Sequence, residues 1–348
     1  MRKLLGGIFS TEMGFDVQFA RNGVEALKTI KVFRPDVVTL DIHMPGMDGL
    51  ECLDRIMLEY PCPVVMVSSL TEEGAEETLR ALEIGAVDFV AKPGGAISLG
   101  IDDLAPLLIE KVSVAATVRI RRSRRLAERV RLATSPVTHS KPTGVVSFGN
   151  TLAKKVKSAR GIVLVGASTG GPPALDAVLT NLPAEFDWPV VVAQHMPASF
   201  TGPLARRLDK ICPMKVTEVT RQTNLEPGNI YVAKGDADII VSFRGGSLVV
   251  MAAPADGNFP WHPSVDRLVQ SAMRHVPATD LVGVLMTGMG NDGATAMTEL
   301  HVAGGHTIAE AEETAVVWGM PGELVRMNGA TEIKRLDQIG QSIKDRLK

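Results

Sequence analysis

Aromatic side chains are scarce: Phe, Trp and Tyr make up 4% of the 348 residues, which leaves little for bases to stack on. The formal net charge of −2 removes the polycation that nucleic acid or an anionic membrane would attract, so neither is an expected partner. Cysteines number three, Cys52, Cys62 and Cys212, odd in count and without C-x-x-C spacing. They suggest neither a metal site nor a disulfide framework, and a reducing cytoplasm fits. Long apolar runs are missing too. No stretch reaches the ~18 residues of a membrane span, and the basic-then-apolar start is too short, and lacks the cleavage pattern, to be a signal peptide. The apolar share of 45% is nevertheless ordinary for a globular protein, and 348 residues suit two domains.

The chain is organised around Ile162-Val163-Leu164-Val165-Gly166-Ala167-Ser168-Thr169-Gly170-Gly171-Pro172-Pro173. A short apolar run breaks at glycine, one serine follows, and prolines suit the first turn of a helix. Strand, turn and helix in that order put Ser168 at a strand's carboxyl end, beside the free N–H groups of a helix start. Gly166–Gly170 fits the G-x-S-x-G nucleophile pattern. A phosphate-holding turn is the alternative, but the spacing is not G-x-G-x-x-G and the next strand ends at Gln194-His195 instead of an acid.

Two further strands are expected to end in useful side chains. Pro189–Gln194 is followed by His195, and Leu281–Met286 by a loop containing Asp292. Such sheets place active sites beyond their carboxyl ends. Ser168, His195 and Asp292 are thus the parts of a nucleophilic triad: His195 takes the serine's proton and Asp292 orients it. Oxyanion donors are expected from N–H groups near Thr169–Gly171 and Gly288–Gly290. The order Ser…Asp…His, as in α/β-hydrolases, would instead need Asp236, Asp256 or Asp266 with His262, His275, His301 or His306. Those histidines read as surface or packing residues.

The first third also alternates strands and helices, which argues a parallel sheet covered on both faces. Strands are expected at 17–20, 36–41, 63–68 and 87–90, and helices at 1–12, 23–33 (Val24, Leu27, Ile30 and Val32 on its apolar side), 48–60, 72–84 and 101–114. Asp41, Ser68 or Ser69, and Lys92 fall at strand ends. A carboxylate can accept a phosphoryl group, and a hydroxyl and an ammonium can bind its oxygens.

Leu40-Asp41-Ile42-His43-Met44-Pro45-Gly46-Met47-Asp48-Gly49, Val67-Ser68-Ser69 and Phe89-Val90-Ala91-Lys92-Pro93 resemble the receiver domain of two-component response regulators. The resemblance implies a flavodoxin-like fold, phosphorylation at Asp41, contact with the phosphoryl group by Lys92, and Ser68, favoured over Ser69, as the switch hydroxyl. It also implies Mg²⁺ and a chemotaxis histidine kinase as phosphodonor. The family's first strand and its acidic Mg²⁺-holding pair are not found in this sequence, and Asp16 and Asp36 do not replace them. A start placed too far downstream is the favoured explanation, and the chain as it stands is expected to take up phosphate poorly.

Gly166–Gly171, Gln194-His195-Met196-Pro197, Phe200-Thr201, Leu204-Ala205-Arg206-Arg207-Leu208, Trp261-His262-Pro263-Ser264-Val265-Asp266 and Thr287–Ala294 resemble the catalytic domain of bacterial chemotaxis protein-glutamate methylesterases. The resemblance implies hydrolysis of glutamate methyl esters on methyl-accepting chemoreceptors in the cytoplasm, with deamidation of receptor glutamines and no catalytic cofactor. By it Thr169 and Met289 flank the site, the Met289 N–H is an oxyanion donor, and Arg206 and Arg207 are candidates to face the receptor. The expected layout is two doubly wound α/β domains: a receiver over 1–114 and a Rossmann-like catalytic domain with a β-hairpin insertion over 159–348. Between them, 115–158 carries Arg119, Arg121, Arg122, Arg124, Arg125, Arg129 and Arg131 and then a Pro/Ser/Thr stretch, read as a solvated helix end and a linker. The receiver is expected to cover the triad until phosphorylated, and activity to fall on acidification as His195 takes a proton. A receiver-controlled binding module with a vestigial site is the competing class.

Overall fold

A computed structural model describes residues 2–11, 14–92, 101–118 and 160–347. The arginine cluster and the linker stretch lie outside these residues, as does Pro93.

In the first α/β unit, helices α1 (Arg2–Thr11), α2 (Gly23–Phe33), α3 (Gly49–Glu59), α4 (Glu72–Ile84) and α5 (Ile101–Thr117) surround strands β1 (Val38–Asp41), β2 (Val64–Ser68) and β3 (Asp88–Ala91). The strands form one parallel sheet in the order β1-β2-β3. Local chemistry sets the helix starts. The side chains of Asn22, Asp48 and Thr71 accept the N–H groups of Glu25, Glu51 and Gly74, satisfying donors a helix start leaves free. Residues 17–20 form no strand, contrary to expectation. A strand needs a partner for its N–H and C=O groups, and among the described residues β1 pairs with β2 alone. Helix α2 buries Gly23, Ala26, Leu27 and Ile30, so Val24 and Val32 face solvent: the apolar stripe lies a step away from its expected position.

The second unit is built on seven parallel strands in the order β13-β12-β11-β4-β5-β8-β6. These are β4 (Ile162–Ala167), β5 (Val190–Gln194), β6 (Lys215–Val219), β8 (Asn229–Ala233), β11 (Leu281–Leu285), β12 (His306–Glu310) and β13 (Glu332–Lys334). Strands β4, β5 and β11 are buried along their whole length, as the continuous apolar runs require of a sheet covered on both faces. The expected hairpin is β9 (Asp238–Arg244) with β10 (Ser247–Ala253), extended by β7 (Thr223–Asn224) into a three-stranded antiparallel sheet. The helices are α6 (Gly171–Leu179), α7 (Ala198–Ile211), α8 (Val265–Met273), α9 (Ala294–Val302), α10 (Met320–Arg326) and α11 (Leu336–Arg346). The chain leaves β4 toward β5 on one side and later returns to β11 on the other. The β4/β11 boundary is therefore the switch point, outside whose carboxyl ends such sheets place their ligands.

The two units share a core. One apolar cluster runs from Leu79, Leu82 and Phe89 of the first into Leu175, Phe200 and Leu204 of the second. The Phe89 and Phe200 rings lie 4.4 Å apart, centre to centre. Among the described residues no helix is long and apolar enough to cross a membrane.

Candidate active site

The turn after β4 is held by its neighbour. The Ser168 N–H donates to the Thr287 carbonyl (3.0 Å), and the Thr287 hydroxyl donates to the Thr169 carbonyl (2.8 Å). The Ser168 carbonyl accepts the Gln194 amide (2.9 Å) and the Gly171 N–H (2.7 Å). Glycines make the fit possible: a Cβ on Gly288 would stand 2.9 Å from the Ser168 Cβ and closer still to Met320 Sδ. Ser168 itself stays half-exposed, and its Oγ takes no hydrogen bond among the described residues.

His195 follows β5 directly, its N–H held by the Ala167 carbonyl at 3.0 Å. Its Nε2 meets Asp292 Oδ2 at 2.8 Å, while Nδ1 is buried without a partner. With Nε2–H donated to the carboxylate, Nδ1 is the basic nitrogen, the one open to the serine proton.

Asp292 sits in a cradle at the start of α8. Oδ1 accepts the Ser264 hydroxyl (3.0 Å) and the Asp266 N–H (3.0 Å), and Oδ2 also accepts the Val265 N–H (2.7 Å). Burial works to raise its pKa, but the His195 bond and charge and the Val265 and Asp266 N–H groups outweigh it and hold the carboxyl below its ordinary value. Asp292 therefore stays charged beside the imidazole. The alternative pairs do not form: His262 Nδ1 meets Asp238 (2.9 Å), and none of His262, His275, His301 or His306 is bonded to Asp236, Asp256 or Asp266 among the described residues. The N–H groups of Thr169 and Met289 enter no backbone hydrogen bond among the described residues.

The first unit reaches into this site. Asp88 Oδ2 accepts the hydroxyl of Thr169, the residue next to Ser168. Lys111 Nζ braces Asp88 Oδ1 at 2.8 Å. Arg206 and Arg207, candidates for a receptor surface, instead meet α4: Arg206 pairs with Glu72, and Arg207 with Glu83 and, within its own unit, Asp176.

At the other end of the first sheet, Asp41 Oδ1 takes Lys92 Nζ (2.7 Å) and the His43 N–H (3.1 Å). The Ser68 hydroxyl is buried and turned toward α4, donating to the Gly74 carbonyl (3.0 Å) and accepting the Thr78 hydroxyl (2.6 Å). Among the described residues no three His, Cys, Asp or Glu side chains converge as a metal site. Asp41 is engaged by Lys92, and the described residues do not by themselves gather the carboxylates of the Mg²⁺ site expected of a receiver.

Residues 163–343 match the family described as CheB methylesterase, and residues 1–99 match the response regulator receiver domain. A protein-glutamate methylesterase/protein-glutamine glutaminase from Rhodopseudomonas palustris is 53% identical over 99% of this chain and 94% of its own length. One from Rhodospirillum rubrum is 52% identical over 95% of this chain and 89% of its own. Among solved structures, the CheB methylesterase catalytic domain of Thermotoga maritima covers 53% of this chain and 97% of its own, at 34% identity and a TM-score of 0.51.

Proposed function

This chain belongs to the CheB methylesterase family, and from that premise we propose that Ser168, His195 and Asp292 hydrolyse glutamate methyl esters on chemoreceptors, and receptor glutamine amides, by acyl transfer. The carrying observation is the His195–Asp292 pair with Nδ1 left open at the carboxyl strand edge that holds Ser168. Ser168 Oγ attacks the ester carbonyl as its proton passes to His195 Nδ1. The carbonyl oxygen gains charge and is met by the N–H groups of Thr169 and Met289. The ester C–O bond breaks, His195 returns the proton to the leaving methoxide, and methanol departs. Water, deprotonated in turn by His195, then cleaves the glutamyl-serine ester to glutamate and free enzyme. With a glutamine the leaving group is ammonia.

The division into a receiver (1–114), a linker (115–158) and a catalytic domain (159–348) gives this site its control. A histidine kinase of the chemotaxis system supplies phosphate to Asp41, and Lys92 neutralises the product. A phosphoryl group draws Ser68 away from Gly74 and Thr78, loosening α4, and α4 grips α7 through Glu72 and Glu83. With the receiver displaced, Asp88 leaves Thr169 and the ester can enter.

The test is methanol release from methylated receptor membranes by this chain and its Ser168→Ala variant. Release that disappears with the hydroxyl supports the reading. Equal release by both would remove Ser168 from the mechanism, and release by neither would favour a binding module.

A further inference from the structure

We infer that Trp261 is a positioning residue for the catalytic imidazole, set in place by the buried carboxylate of Asp238; the inference rests on the esterase reading above. The indole lies parallel to the His195 ring in an offset stack, centroids 6.1 Å apart and planes within 5°. Asp292 fixes one atom of the imidazole, Nε2, and about that atom the ring can still tilt. A flat neighbour removes the tilt, which is the motion that would carry Nδ1 off the line to Ser168 Oγ. The negative face of the indole also favours the imidazolium formed when His195 takes the serine proton, so its effect falls on the transition state.

The room for this indole is built into the opposing loop. Gly290 has φ 80°, and a Cβ there would stand 2.8 Å from Trp261 Cζ2. Any side chain at that position would push the ring off His195.

Asp238 takes no part in the reaction, yet its side chain is fully buried at the start of β9. It accepts His262 Nδ1 (2.9 Å), the Ser264 N–H (2.8 Å), the Asp256 N–H (3.2 Å) and the Arg267 guanidinium. His262 and Ser264 follow Trp261, and Asp256 precedes it, so one carboxylate gathers the segment from both sides. The same segment ends in Ser264, Val265 and Asp266, the cradle of Asp292. Asp238 thus sets both neighbours of the imidazole, the carboxylate at its edge and the indole on its face.

The experiment compares the full-length chain with Trp261→Ala and Trp261→Phe on methylated receptor membranes. Trp261→Ala lowers kcat roughly 10- to 100-fold, the scale of a small misplacement of a reacting group, with KM within about twofold and an unchanged thermal midpoint. Trp261→Phe, which keeps a flat ring, returns kcat to within about threefold of wild type. A second readout needs no turnover. The indole emission that Trp261→Phe removes is quenched by the imidazole stacked beside it, and His195→Ala relieves that quenching. Wild-type kcat in Trp261→Ala, a rise in KM alone, or emission indifferent to His195 would each overturn the inference. Absence of methanol release by wild type with the quenching intact would count against the esterase reading while leaving the stacking in place.

Discussion

Among the described residues no cation pairs with Glu310. It is fully buried at the end of β12, with Oε2 on the Thr287 N–H (2.8 Å) and Oε1 without a partner. Burial pushes its pKa from 4.5 up to about 7, against the pull of the Thr287 N–H and the Thr314 hydroxyl. Between those values the folded chain holds a proton that the unfolded chain has lost. Stability is therefore highest below the unfolded pKa, declines as pH rises toward 7, and is flat beyond, by at most about 3 kcal/mol. Asp266, raised by burial to about 6, acts in the same direction. Glu310→Gln should shrink the difference in thermal midpoint between pH 5 and pH 8, and an undiminished difference would show that this carboxyl is ionised throughout. Asp292 is the opposite case, and Asp292→Asn should cut kcat by about 10³- to 10⁴-fold in a steady-state assay, because the amide no longer enforces the Nε2–H tautomer. At this scale the sequence pointed to Ser168, His195 and Asp292 as candidates, because apolar runs end abruptly before Ser168 and His195 and Asp292 lies in the loop after a third such run. It did not disclose which imidazole nitrogen faces Asp292, nor Glu310, Asp238 or Trp261. Their meaning lies in partners tens of residues away, and no local pattern marks a buried carboxylate.

Helices and strands were legible where burial is periodic or continuous, as in α4, β4 and β5. They were missed where tertiary partners decide: residues 17–20 lack a neighbouring strand, and α10, β7 and β13 are too short to show a period. The contact of β3 and α4 with the catalytic unit was equally invisible, since Asp88 reads as an ordinary strand residue and Arg206 and Arg207 as a free basic face. The ion pairs of Arg206 are exposed and worth at most about 1 kcal/mol each. The Asp88–Thr169 bond is buried and charged, a stronger class of contact. Asp88→Asn should therefore raise methanol release without a phosphodonor, by about tenfold, and leave the phosphorylated rate unchanged. A basal rate equal to wild type would place the restraint elsewhere in the interface.

Two units that share one apolar cluster can part only by exposing it, so the closed arrangement is the resting one. The related Thermotoga maritima catalytic domain was crystallised by itself, which makes the matching half of this chain a reasonable object for assay. Deleting residues 1–140 should raise basal esterase activity above that of the unphosphorylated full-length chain. A truncated enzyme no faster than the intact one would mean the receiver does not shield the triad.

The Thr169 hydroxyl has one proton to give. Donated to Asp88 it belongs to the receiver, and an occupant of the catalytic site that needed this donor would have to compete with Asp88 for it. Coupling of this kind runs equally in both directions. If phosphate on Asp41 tightens receptor binding by some factor, receptor binding must favour phosphate on Asp41 by that same factor. A methylated receptor would then act as an effector as well as a substrate. Phosphorylated fraction measured with and without receptor membranes, at fixed phosphodonor, would show the second half of that bargain.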